Sequence, residues 1–94
     1  MTQIPFKNRD AILEIGLRYN IRKIRVFGSV ARGEATAQSD LDLLVDVEKK
    51  TSLLDLIAFW QEVEDALGHK VDVVTEEGLS PYLRERILNE AVPL

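Results

Sequence analysis

The sequence predicts a small α/β domain: a mixed three-stranded sheet with packing helices, in the order α-β-α-β-α-β-α. Three observations predict it. Apolar residues switch along the chain between helical and strand spacing, so helices and strands interleave. The 94 residues, 46% hydrophobic, supply one core and are too few for two, so residues 1–94 read as a single domain. The second and third strand patterns are separated by a helical stretch of about four turns, the length a right-handed parallel crossover needs.

The first helix is expected from about Lys7 to Tyr19, with Ile12, Leu13, Ile15, Leu17 and Tyr19 among charged neighbours, Asn8 at its start and Asn20 as its stop. Ile21 to Phe27 then alternates, Ile24 and Val26 on one side and Lys23 and Arg25 on the other, as a strand does. Gly28-Ser29 ends that strand, Val30 to about Ala35 fits a short helix, and Thr36 to Ser39 a polar turn. Leu41 to Val47 is the second strand. Thr51 or Ser52 caps a helix that runs to Leu67 and stops at Gly68. Its apolar set (Leu53, Leu54, Leu56, Ile57, Phe59, Trp60, Val63, Ala66, Leu67) is wider than one core-facing stripe requires. That width fits a central packing helix, with contact to a partner protein as the alternative. Lys70 to Thr75 is the third strand. Ser80-Pro81 opens a last helix to about Asn89, with Leu83, Ile87 and Leu88 inward and Arg84, Glu85, Arg86 and Glu90 outward. The short first connection favours an antiparallel pairing of strands one and two, which would set Gly28 and Ser29 against Asp40 and Asp42.

Composition removes several functional classes. The chain has no cysteine, which excludes disulfides and thiolate metal sites and makes a reducing cytoplasm the expected location. No apolar run approaches the roughly 20 residues of a membrane span, and Met1 to Lys7 lacks the order of a secretory signal. A net charge of −4 argues against nucleic acid as the main partner, since that binding rests on clustered Lys and Arg.

The chemistry concentrates in Gly28-Ser29 and Asp40-Leu41-Asp42. Two residues apart on an extended strand, Asp40 and Asp42 project from one face, their Cα atoms roughly 6–7 Å apart. Leu41, Leu43, Val45 and Val47 form an apolar row on the other face. A parallel third strand brings Asp72 to the same end of the sheet. Paired carboxylates repel unless something positive lies between them, and a divalent cation carrying phosphate fits that need. Mg²⁺ prefers a few carboxylates plus phosphate oxygens, and two ions about 3.5–4 Å apart can clamp both oxygens of an in-line displacement. Gly28 lets backbone approach a phosphate, and Ser29 offers a hydroxyl and an N–H at a helix start. The set points to phosphoryl or nucleotidyl transfer. Each part has a plainer reading: Asp-x-Asp as a solvated strand end, Gly-Ser as an ordinary turn. Asp72 is more telling, because a charge in a valine-rich strand is costly without a partner. Arg32 reads as a phosphate contact or as a partner of Glu34 or Asp40. Asp46 and His69 read as surface residues, and Phe59 and Trp60 as core or partner contacts. No Gly-Lys-Ser/Thr loop is present, which disfavours a P-loop enzyme.

The spacing Gly-Ser-x10-Asp-x-Asp, here Gly28, Ser29, Asp40 and Asp42, resembles the signature of the polymerase-beta-type nucleotidyltransferases. The fuller strings Gly28-Ser29-x-Ala31-Arg32-Gly33-Glu34 and Ser39-Asp40-Leu41-Asp42-Leu43-Leu44-Val45 are similar to the minimal nucleotidyltransferase (MNT) branch, over nearly the whole chain. The resemblance implies a nucleotidyltransferase core in which Asp40, Asp42 and Asp72 are catalytic and hold two Mg²⁺ ions, and Gly28 and Ser29 bind the nucleotide. It further implies an antitoxin that transfers AMP from ATP, its co-substrate, to a tyrosine hydroxyl of a HEPN-domain ribonuclease toxin within a hetero-oligomer. The alternatives are an antitoxin that blocks its toxin by steric binding alone, and transfer to a small molecule, for which the chain leaves little room.

Overall fold

A computed structural model describes residues 9–34 and 40–94. The elements are α1 (Arg9–Arg18), β1 (Ile21–Phe27), α2 (Gly28–Ala31), β2 (Leu41–Val47), α3 (Leu53–Leu67), β3 (Val71–Thr75), α4 (Pro81–Glu90) and β4 (Val92–Pro93). The sheet order is β3-β2-β1-β4, with β1 antiparallel to β2 and β4, and β2 parallel to β3. The expected pairing senses therefore hold. The expected strand count does not, since the sheet has four strands. β4 is two residues long and contains Pro93, so it carries no periodic signal, and a proline is tolerated because this strand lies at an edge. The expected start at Lys7, the Asn8 cap, and Ala35 to Ser39 lie outside the described residues.

One sheet face carries the core. Ile24 and Val26 of β1, Leu41, Leu43 and Val45 of β2, and Val71 and Val73 of β3 are buried with Ile12 and Ile15 of α1 and Phe59 and Val63 of α3. Ile21 joins them although it lies three residues from Ile24, an odd interval for a strand. Lys23 has φ +51°, and three steps along β1 from Arg22 to Arg25 match two along β2 from Asp46 to Leu44. This extra residue is a β-bulge that resets the alternation so that both isoleucines face inward.

Helix ends follow their local chemistry. Ser52 and Asp55 form a capping box: the serine hydroxyl accepts from the Asp55 N–H, and the Asp55 carboxylate accepts from the Ser52 N–H. Gly68 ends α3 at φ +62°. Ser80 caps α4 ahead of Pro81. Not every apolar residue turns inward. Leu53, Leu54 and Ile57 of α3, Leu17 of α1, and Leu83 of α4 are exposed, so the wide apolar set of α3 divides into a core stripe around Phe59 and Val63 and an outward face. Among the described residues no helix is long and apolar enough to cross a membrane.

This division is measurable within one helix. Phe59→Ala should cost about 3–5 kcal/mol, read as a lower urea midpoint, whereas Leu54→Ala should stay within about 0.5 kcal/mol of the parent.

Candidate active site

The face opposite the core presents Arg25 and Phe27 from β1, Asp42, Leu44 and Asp46 from β2, and Asp72 and Val74 from β3, because successive side chains alternate. Two backbone registers build the site there. In the parallel β2–β3 ladder Asp42 lies directly beside Asp72. In the antiparallel β1–β2 ladder Phe27 lies opposite Asp42, which brings the following Gly28 over that carboxylate. Gly28 has φ +76°, and a Cβ built on it would fall 2.1 Å from the Asp42 Oδ2. Both the left-handed backbone and the close approach require glycine. Ser29 follows, half-buried in the first turn of α2. The turn then closes with Arg32 N–H donating to the Gly28 carbonyl (3.1 Å) and Glu34 N–H to the Ser29 carbonyl (2.9 Å).

Burial raises the Asp42 carboxyl to a pKa of about 6, aided by the negative charges of Asp72 and Asp40 and by a side-chain hydrogen bond with Asp72; the Arg32 cation opposes the rise. Asp72 is exposed on an edge strand, and Asp40 is exposed one residue before β2. The expectation that Asp72 is a costly buried charge is therefore corrected: the desolvated carboxylate is Asp42, and of the valines around Asp72 only Val71 and Val73 face the core. The structure thus brings Asp42 and Asp72 into contact, with Asp40 near enough to act on Asp42 by charge. Among the described residues no three His, Cys, Asp or Glu side chains form a ready-made metal cage. An open pair of carboxylates suits Mg²⁺, which draws its remaining ligands from phosphate and water. The donor set fits the ion.

α3 holds this arrangement from the side. Trp60 donates its indole N–H to the Val71 carbonyl (2.5 Å), and the Glu64 carboxylate accepts from the Val71 N–H (3.0 Å). As β3 is an edge strand, these outward backbone groups lack a strand partner, and two residues one helical turn apart supply it. The clamped residue immediately precedes Asp72.

Two further groups change the sequence reading. Glu90 does not point outward. Its Oε2 accepts from the Gly28 N–H (2.7 Å) and its Oε1 from the Arg32 Nη1 (2.8 Å), while the Arg32 Nε donates to Glu34 (2.9 Å). The Arg32 cation and the Gly28 amide lower the Glu90 pKa against its burial. Arg32 thus takes the expected Glu34 pairing, adds Glu90, and shows no bond to Asp40. Arg84 is likewise engaged: with Arg25 it shares the Glu76 carboxylate (3.3 and 2.9 Å), a bridge across β2 where Leu44 is fully buried. Sequence spacing missed Glu90 because its partners lie 58 and 62 residues away. Its only local sign is a carboxylate at the end of a helix, where the dipole disfavours it. Asp46 stays far along β2 opposite Arg22, and His69 is exposed against the Lys70 carbonyl (2.8 Å).

Two substitutions test this geometry. Asp42 is harder to ionise in the fold than in the unfolded chain, so the fold loses stability as pH rises from about 4 through 6. Asp42→Asn should therefore raise the melting temperature by several degrees at pH 8 without divalent ions, about 1–2 kcal/mol after allowance for solvent screening, and converge with the parent near pH 4. Gly28→Ala should destabilise by about 1–3 kcal/mol in the same melts, because it meets both strain and the Asp42 carboxylate.

Comparison with known proteins places this geometry in a family. The nucleotidyltransferase domain model matches residues 9–94. A Thermococcus cleftensis protein named protein adenylyltransferase MntA is 42% identical over 97 residues, covering 98% of each chain. A solved structure described as a candidate minimal nucleotidyltransferase is 50% identical, with a TM-score of 0.84 over 93% of this chain and 89% of that one. At 19% identity, a complex of a tri-AMPylated Shewanella oneidensis HEPN toxin with an MNT antitoxin shares the fold, with a TM-score of 0.69 over 92% of this chain and 67% of that one. The glycine turn laid on a strand carboxylate, with a second carboxylate beside it in parallel register, is thus set in a chain that belongs to the nucleotidyltransferase domain family, in the minimal branch whose curated relatives are named protein adenylyltransferases.

Proposed function

We propose that this chain transfers AMP from ATP to a tyrosine hydroxyl of a HEPN ribonuclease toxin and so neutralises it. The observation that carries the reading is the Asp42–Asp72 pair beneath the Gly28-Ser29 turn. Gly28 and Ser29 bind the triphosphate, the first by leaving room for it and the second through its hydroxyl and N–H. Asp40, Asp42 and Asp72 would hold Mg²⁺, which when bound supplies charge neutralisation for the phosphates and aligns attacking and leaving oxygens. Asp72, exposed at the sheet edge, is the carboxylate an entering hydroxyl meets first, and it accepts the hydroxyl proton. The tyrosine oxygen bonds to the α-phosphorus, the α–β phosphoanhydride bond breaks, and pyrophosphate leaves.

Support for a protein acceptor comes from the MntA relative's name, protein adenylyltransferase, and from the AMPylated HEPN toxin in the more distant complex. A second reading, steric neutralisation, has one observation in its favour. Leu53, Leu54 and Ile57 form an exposed apolar face on α3 that could dock a partner without any use of the carboxylates.

The test is an incubation with ATP, Mg²⁺ and the product of the neighbouring gene, followed by intact mass measurement of both chains. AMP-sized increments on the partner are expected, with the Asp40→Asn/Asp42→Asn variant slower by at least about a thousandfold, some 4 kcal/mol of transition-state stabilisation. A partner of unchanged mass whose activity is nevertheless neutralised would sink transfer and leave steric binding.

A further inference from the structure

Glu90 is absent from the motif that marks the family resemblance, yet it makes the most specific contact with the glycine turn. It comes from the far end of the chain, its side chain is 17% exposed, and its two oxygens divide between the Gly28 amide and the Arg32 guanidinium. Its position is not left to the helix alone. Ala91 turns extended (φ −66°, ψ 137°), Val92 and Pro93 pair with Val26 and Arg25 of β1, and the Leu94 N–H donates to the Ile24 carbonyl (3.1 Å). The strand that anchors Glu90 is therefore the strand that runs directly into Gly28. Turn and carboxylate are fixed to one frame.

Electrostatics make the choice of residue informative. Glu90 adds a negative charge beside a group that already holds Asp40, Asp42 and Asp72, which a neutral acceptor for the Gly28 amide would avoid. Arg32 offsets that charge, and its Nε and Nη1 are both taken by carboxylates, Glu34 and Glu90, which fix the guanidinium plane. Arg32 is thus held in one orientation beside the turn that Gly28 opens.

We infer that Glu90 is a positioning residue of the nucleotide site: its carboxylate locks the Gly28 turn and aims Arg32 at the triphosphate. The inference rests on the nucleotidyl-transfer reading. Glu90 stays in place while nucleotide binds, and its effect passes through both the Gly28 turn and Arg32.

Titration calorimetry of the full chain with Mg²⁺ and α,β-methylene-ATP, alongside thermal melts, tests this. Glu90→Gln should weaken binding about tenfold or more at temperatures where it remains fully folded, Arg32→Ala should do the same, and the double variant should lose less than the two single losses combined. Glu90→Asp, which keeps the charge but withdraws it by one methylene, should fall between parent and Glu90→Gln, and it serves if Glu90→Gln fails to fold. A purely structural Glu90 would lower the melting temperature and leave the affinity of the folded protein unchanged, which overturns the inference. Tighter binding by Glu90→Gln also overturns it, since the carboxylate would then be a competitor for the phosphate position; so do fully additive losses. A parent chain that binds no analogue overturns the nucleotidyl-transfer reading and this inference with it. A parent that binds with Glu90→Gln as its equal overturns this inference alone.

Discussion

The β2–β3 register, which holds Asp42 against Asp72, is the constraint on which the rest of the structure depends. Left to themselves the two carboxylates would separate into water, because burial and like charge both oppose the ionised form of Asp42. What holds them is the reverse side of the same strands. Leu41, Leu43 and Val45 are matched with Val71, Val73 and Thr75, and the apolar members of that set are buried under α1 and α3. Each fully buried side chain of this kind contributes roughly 1.5–3 kcal/mol relative to exposure, so a handful outweighs the repulsion. A slip of one residue in register would also turn every one of them outward. The core therefore fixes the chemistry as well as the fold.

The same strands give the two aspartates different surroundings. Asp42 lies on the second strand of the sheet beneath the Gly28 turn, whereas Asp72 lies on an edge strand and is exposed. An edge strand in a parallel pair is open to fraying and to unwanted pairing. Here α3, the crossover helix, fastens it: Trp60 and Glu64 take both backbone groups of Val71, one residue before Asp72. The exposed carboxylate is thus set on an edge strand that α3 fastens one residue before it.

The parts of this design that were legible in the sequence are those with short-range physics. The Leu41–Val47 alternation, the Ser52 and Ser80 caps and the Gly68 stop depend on residues within a few positions, and each forms as its pattern implies. The antiparallel and parallel pairings were legible from connection length alone. Long-range partners were not. Nothing near Glu90 or Ala91 signals a strand at Val92–Pro93 or a bond to Gly28, because both are decided by where β1 lies in three dimensions. Asp72 was found for a partly mistaken reason: flanking valines suggested a buried strand, but an edge strand can bury one face and leave the other in water. Leu17 and Leu83 illustrate the converse, since helical spacing marks a residue as a candidate for the core without saying that the core has room for it.

Charge completes the argument about what this site can bind. Five carboxylates, Asp40, Asp42, Asp72, Glu34 and Glu90, gather at the glycine turn and the strands beneath it, and Arg32 is bonded to two of them. A bare polyphosphate approaching that group would be repelled, and a nucleic-acid backbone more so. A triphosphate arriving with divalent cations would reverse the sign of the interaction, because carboxylates that repel phosphate are the donors such a metal prefers. On the reading proposed above, the acidity that looks hostile to nucleotides would act as a filter for their metal-bound form, with Arg32, held by Glu34 and Glu90, as the cation beside the glycine turn.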